Sequence, residues 1–202
     1  MDGDFFVSDE VAADMSRLVF TGVMSYPPNE DAAVHFAEDV LPLVQRTHPH
    51  AEFWVVGKSP PDRVRALADR PGVHVTGGVP DIRPYVLGAG IFVCPLRYGA
   101  GVKNKLLAAL SMKRAVVASA MSLEGLEFRH GEELLIADEP AQVAAHIARL
   151  MDDPALARRM GEAGHAAVKA RYSWATSAQM LARVLATAAD ASSGRRPITA
   201  GV

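Results

Sequence analysis

The 202-residue sequence has a single cysteine, Cys94, a formal net charge of only −2, and no apolar run of membrane-spanning length. Each scarcity removes a class of protein. One cysteine excludes a disulfide within the chain, and its place in the apolar run Ile91-Phe92-Val93-Cys94 predicts a small buried side chain rather than a reactive thiol. The balance of 21 Lys and Arg against 23 Asp and Glu excludes an electrostatic nucleic-acid binder. The start of the chain carries acidic residues where a secretory signal would carry basic ones. The expectation is a soluble cytoplasmic protein with no transmembrane segment, one that meets a membrane only through a partner.

Short catalytic signatures are missing as well. There is no Gly-x-Ser-x-Gly elbow, no phosphate loop ending in Gly-Lys-Ser/Thr and no Gly-x-Gly-x-x-Gly. Gly99-Ala100-Gly101 lacks the third glycine, which speaks against a nicotinamide enzyme. His48 and His50 are the only close pair among seven histidines, too few to ligate a metal, and read as the solvated end of a helix. His130 beside Gly131 reads as a turn residue. Tyr172 and Trp174 are read as core or interdomain packing, with a cofactor platform as the alternative.

What is present is a regular alternation. Half of the residues are hydrophobic, enough for one core and one domain with a tail. Residues 1–16 are polar and acidic apart from Phe5-Phe6-Val7 and form a lead-in. The domain is expected over residues 17–190. A strand at 17–22 ends in glycine and is followed by a helix with Ala33, Phe36, Ala37, Val40, Leu41 and Val44 on one face, Asn29 being the expected N-cap. Further strands are predicted at 51–56, 73–76, 91–94, 114–118 and 134–136. Helical segments lie between them at 62–70 and 81–87, and follow them at 141–151, 155–170 and 172–189. Residues 191–202 turn to Gly, Arg, Pro and Thr and read as a disordered tail. Short strands apolar on both faces, alternating with helices, imply an α/β fold: a Rossmann-like doubly wound parallel sheet with C-terminal helices.

Such sheets bind ligands beyond the carboxyl ends of their strands. Here those ends carry Gly22, Gly57, Gly77 and Gly78, Gly99 and Gly101, and Gly125. The stretch PLRYGAGVKNKLLAALS at 95–111 is the most informative of them. A strand passes through a glycine-bracketed turn into a helix start, whose free N–H groups and dipole suit an anion. Lys103 and Lys105 stand in that first turn, where the dipole disfavours cations. They read either as ligands of an anionic group or as solvated lysines of an ordinary turn.

The ordered series FTGVMSYPPN, VVG, VTGGVPDIRPY, PLRYGAGVKNKLLAALSM, VVAS, LEGL and RYSWA resembles the C-terminal half of retaining glycosyltransferases of family 4 with the two-domain GT-B architecture. It is most similar to bacterial sugar transferases linked to polysaccharide export. The resemblance implies a donor-binding half-domain for a nucleotide-diphosphate sugar, with the acceptor-binding N-terminal domain missing from this chain or supplied by another; MDGDFF resembles the end of such a domain. It implies hexosyl transfer without a cofactor or metal.

The resemblance also implies substrate-binding residues. Gly22 lies near the donor phosphates and Lys58 in the same crevice, while Gly77, Gly78 and Val79 cradle the nucleobase. Gly99, Gly101 and Val102 meet the sugar, Lys103 and Lys105 face the diphosphate, and Glu124 is the weakest of the set. No catalytic base or nucleophile is assigned in this chain. Two glutamates that the family places eight residues apart are here Ala100 and Ala108. The alternative is therefore a catalytically silent or partner-dependent module with a degraded donor site.

Overall fold

A computed structural model describes residues 13–173 together with positions 176, 178, 182, 184, 185 and 187. Six parallel strands form one sheet in the order β3-β2-β1-β4-β5-β6. They are β1 (Asp14–Thr21), β2 (Glu52–Val56), β3 (Val73–Gly77), β4 (Ala89–Cys94), β5 (Ala115–Ala118) and β6 (Leu135–Ile136). The helices are α1 (Pro27–His35), α2 (Leu41–Gln45), α3 (Asp62–Arg65), α4 (Arg83–Gly88), α5 (Asn104–Ser111), α6 (Pro140–Asp152) and α7 (Pro154–Arg171). This is the Rossmann-like α/β architecture expected from the alternation.

The topology follows from the composition of the strands. Every residue of β4 and β5 is buried, because a parallel sheet covered on both faces leaves no strand side for solvent. After building β1, β2 and β3 outward to one edge, the chain returns to the other side of β1 with β4. The switch point thus lies between β1 and β4, and a crevice opens beyond their carboxyl ends. Phe20, Phe36, Phe53 and Phe92 anchor the core, with the rings of Phe36 and Phe53 4.4 Å apart.

Three local features differ from the sequence reading. Strand β1 begins at Asp14 rather than at residue 17, since Asp14 already pairs beside Ala89 of β4. Helix α1 begins at Pro27, so Asn29 is not an N-cap: its own backbone N–H donates to the carbonyl of Tyr26, which occupies the capping position. Proline at the start of a helix loses nothing by lacking an N–H, and this moves the boundary three residues upstream, from Asn29 to Tyr26 as the capping residue. Between α1 and α2, residues Phe36–Val40 form a π-helical turn in which the Leu41 N–H reaches back to Phe36. Pro42 follows at once; its ring would crowd the carbonyl four residues back in an α-helix, and the widened turn relieves that contact.

Helix α7 is held on two sides. Gly161 and Gly164 of α7 stand so close to their neighbours that an added β-carbon would lie 2.2 Å from the Lys113 carbonyl oxygen and 2.8 Å from that of Glu133. Glu133, only 3% exposed, accepts from Arg129 and from Arg171 of α7, with the latter contact at 2.6 Å. The expected segment at 172–189 falls for the most part, Trp174 included, outside the described residues, as do residues 1–12 and 191–202.

Candidate functional site

The carboxyl edge of the sheet gathers most of the glycine loops. Gly22 follows β1, and its N–H donates to Val56 at 3.1 Å; Gly57 follows β2 and donates to Gly77, the last residue of β3, at 3.2 Å. The three loops are thereby stitched side by side. Met24 then donates to the Lys58 carbonyl at 2.9 Å, so the Lys58 backbone supports the loop after β1 while its side chain is exposed. Gly78 and Val79 continue beyond β3, and a β-carbon on Gly78 would stand 3.6 Å from that of Lys58. Lys58 therefore groups with the Gly77, Gly78 and Val79 segment.

A second group forms between β4 and α5. Gly99 lies against Pro28 at the start of α1, and Arg97 holds Asp31 of that helix through a two-point ion pair, its Nε donating at 2.9 Å. That hydrogen bond, ahead of the other contributions, holds the Asp31 carboxyl below the ordinary range. The loop after β4 is thus fixed to α1 before it reaches Gly101 and Val102. Lys103 occupies the capping position of α5 and is 8% exposed. Its ammonium donates to the Gly101 carbonyl and stands 3.6 Å from Glu124, which arrives from the loop after β5. Val102 remains half exposed and lies 3.5 Å from where a β-carbon on Gly125 would be.

Lys105 sits at the join of the two groups. Its ammonium lies 4.2 Å from the centre of the Phe20 ring and donates to the side-chain carbonyl of Asn29. Among the described residues no carboxylate lies within ion-pair distance of it. Burial, with a smaller contribution from Lys103, lowers its pKa to about 8. A β-carbon on Gly22 would be 2.7 Å from Asn29 Nδ2 and 2.9 Å from Lys105 Nζ, so glycine there makes room for both heads.

Phe20 and Asn29 are the residues that sequence reasoning did not place here. Phe20 falls within the strand expected at 17–22 and is also fully buried core; Asn29 reads as a helix cap. The signal for Asn29 lay in the double proline before it, which moves the helix start and frees its side chain. Ala108, three positions beyond Lys105 and so on the same face of α5, is 9% exposed. Ala100 is exposed in the turn.

Other expected residues lie elsewhere. Cys94 is fully buried, burial pushes its thiol pKa up, and its carbonyl accepts from Ser122 at 2.6 Å. His48 is only partly solvated: its Nε2 is 3.1 Å from Asp152, and with His50, Met15 and Met151 it lines a cavity of about 360 Å³ at the amino edge of the sheet. That cavity lies at the end of the sheet opposite the glycine loops. His130 sits in its turn and accepts the Ile136 N–H through Nδ1 at 3.0 Å. Among the described residues no three His, Cys, Asp or Glu side chains converge to hold a metal. No described helix is long and apolar enough to cross a membrane.

The family model of Glycosyl transferases group 1 matches residues 16–153, the stretch that carries all of these loops. The chain belongs to the group 1 glycosyltransferases. It is 25% identical over 150 residues to an uncharacterized 44.6 kDa protein in the cps region of Klebsiella pneumoniae, covering 70% of this chain and 39% of that protein. Among solved structures, the C-terminal domain of the Francisella tularensis group 1 family protein LpcC superposes with a TM-score of 0.67 at 16% identity, over 86% of this chain and 99% of that one. HepE of Anabaena, solved with UDP and glucose, gives 0.69 at 15% identity, over 85% of this chain and 48% of that chain. The group 1 chain described here therefore has the fold of a GT-B half-domain and spans 39% of the length of its curated relative.

Proposed function

We propose that this chain is the donor-binding half of a retaining family 4 glycosyltransferase, which moves a hexosyl group from a nucleotide-diphosphate sugar in bacterial polysaccharide biosynthesis. The observation that carries the reading is Lys105: a mostly buried ammonium with no carboxylate partner among the described residues, beside a glycine loop and a helix start at the switch point of the sheet. Burying a cation costs free energy unless an anion meets it, and a diphosphate is such an anion. HepE, with UDP and glucose, supports a uridine nucleotide as the first donor to test.

In this reading Lys105 and Lys103 hold the diphosphate, with Gly22 and Lys58 bordering it. The Gly77, Gly78 and Val79 backbone takes the nucleobase, and Gly99, Gly101 and Val102 line the sugar. Glu124 keeps Lys103 in place. Positive charge fixed before reaction stabilises the diphosphate as negative charge builds on it in the departing group. The chain supplies no base or nucleophile, and no metal or cofactor is required. The acceptor is held by an N-terminal domain, preceding this stretch or supplied by another chain, and the protein works in the cytoplasm.

Ala100 and Ala108 favour a second reading, a silent or partner-dependent module. A carboxylate bound to a sugar or ribose hydroxyl contributes about 1.5–3 kcal/mol, so each hydroxyl left without its carboxylate weakens donor binding by about 10- to 150-fold. Calorimetric titration of the native chain and an Ala108→Glu variant with UDP, GDP and their hexose conjugates separates the two. Binding of one nucleotide by the native chain is the result expected of a working donor half. Binding by the variant alone identifies a decayed site, and silence from both overturns the donor reading.

A further inference from the structure

Lys105 does not set its own position. Four carbons of flexible chain lead to its ammonium, and what fixes the far end is Asn29 on a different element. Asn29 is 6% exposed, and both ends of its amide are engaged: Oδ1 accepts from Lys105, and Nδ2 donates to the Val23 carbonyl at 2.9 Å. Val23 belongs to the loop that begins at Gly22. One amide thus ties the loop after β1, the first turn of α1 and the ammonium from α5 into a single unit.

We propose that Asn29 is the positioning residue of the donor site, aiming the Lys105 ammonium over Gly22 at a phosphate oxygen of a nucleoside diphosphate. The proposal rests on the donor-site reading above. A neutral amide is suited to this task where a carboxylate is not. It accepts one N–H of the ammonium without neutralising it, so the charge stays available to the ligand, and its shape matches an aspartate that would cancel that charge. The Phe20 ring takes a second side of the ammonium at 4.2 Å, again without a negative charge. The ionisable groups that act on Lys105 are Lys103 and the Cys94 thiol. Neither stands in for the amide: Lys103 repels the ammonium, and the buried Cys94 thiol, its own pKa pushed up by burial, attracts it only where it ionises.

The test compares native protein with Asn29→Ala and the isosteric Asn29→Asp, using UDP as the probe between pH 6.5 and 11. Native affinity falls as pH rises through about 8, where Lys105 loses its proton. Asn29→Ala weakens binding by about 10-fold or more, as expected for loss of a bond to a charged group. Asn29→Asp weakens binding at pH 7, because its carboxylate competes with the phosphate. It also carries the pH midpoint upward by about one to three pH units, as an opposite charge beside an ammonium does. A merely structural Asn29 would lower stability in Asn29→Ala and leave the UDP affinity of the folded protein as in native.

The Lys105 side chain, titrated by carbon-13 NMR without ligand, gives an independent midpoint, also about 8 in the native chain and higher in Asn29→Asp. A midpoint that Asn29→Asp leaves in place overturns the proposal, whatever the affinities. Native binding of UDP that Asn29→Ala leaves unchanged overturns it too, while the donor reading stands. If the native chain binds neither UDP nor GDP, the donor reading fails. The proposal falls with it, and the ligand-free titration then reports only the contact between Asn29 and Lys105.

Discussion

A β-carbon on Gly57 would stand 1.7 Å from the carbonyl oxygen of Gly22. The two glycines lie on adjacent loops, and the contact is backbone against backbone, so no flexible side chain can yield. Gly57 also holds φ at +154°, a conformation that side-chain-bearing residues rarely adopt. Gly57→Ala must push the loop after β2 away from the loop after β1, breaking the bonds that join Gly22 to Val56 and Gly57 to Gly77. A loss of about 3 kcal/mol is expected from urea unfolding, together with loss of nucleotide binding. Gly78→Ala is the control. Its β-carbon would meet Lys58 at an ordinary 3.6 Å, and stability should change by less than about 1 kcal/mol. Equal effects from both variants would remove the special role of the Gly22 and Gly57 contact.

Much of this arrangement is legible in the sequence. Apolar strands ending in glycine and alternating with helices leave little choice but a parallel sheet, and the five glycine loops mark which edge is open. Lys105 is legible as a candidate because a lysine in a first helical turn opposes the dipole. Its burial is not, since that depends on Phe20 and Asn29, which lie 85 and 76 positions away in sequence. Asn29 is misplaced for a local reason: Asn before acidic residues fits a cap, but two prolines ahead of it fit a helix start better. The π-helical turn at Phe36–Val40 answers Pro42, and no periodicity of apolar residues signals it.

Glu133 provides a prediction away from the crevice. Burial alone would raise its carboxyl pKa, but the Arg129 N–H and the guanidinium groups of Arg171 and Arg129 outweigh burial and hold it below the ordinary value. A carboxylate with a lowered folded pKa contributes stability that is complete above its unfolded value near 4.5 and is lost as pH falls through the lower folded value. Glu133→Gln keeps the shape and removes the charge. It should cost about 2–3 kcal/mol at pH 7, and the difference from native should shrink as both are acidified below about pH 4. Thermal unfolding followed between pH 3 and 7 measures this, and a difference that does not vary with pH would mean the clamp acts by shape alone.

Lys105 should trade stability for binding. Its pKa falls from an ordinary 10.5 to about 8, so the fold disfavours the charged form by roughly 3 kcal/mol. The sign follows from proton binding. Above pH 10.5 the lysine is neutral both folded and unfolded and carries no penalty; as pH falls the unfolded chain takes up the proton first, and below about 8 the whole penalty is present. Lys105→Met retains a flexible side chain able to pack on Phe20 and removes the charge. At pH 7 the variant should be more stable than native by about 1–3 kcal/mol and should no longer bind UDP, a balance typical of residues placed for function rather than for the fold. The gain should fade between pH 8 and pH 10.5, the window in which native protein sheds its own penalty. Urea unfolding of the two proteins at pH 7 and at pH 10 measures both halves of this expectation, and a variant less stable than native at pH 7 would mean that the ammonium is a structural group satisfied by Asn29 and Phe20 without a ligand.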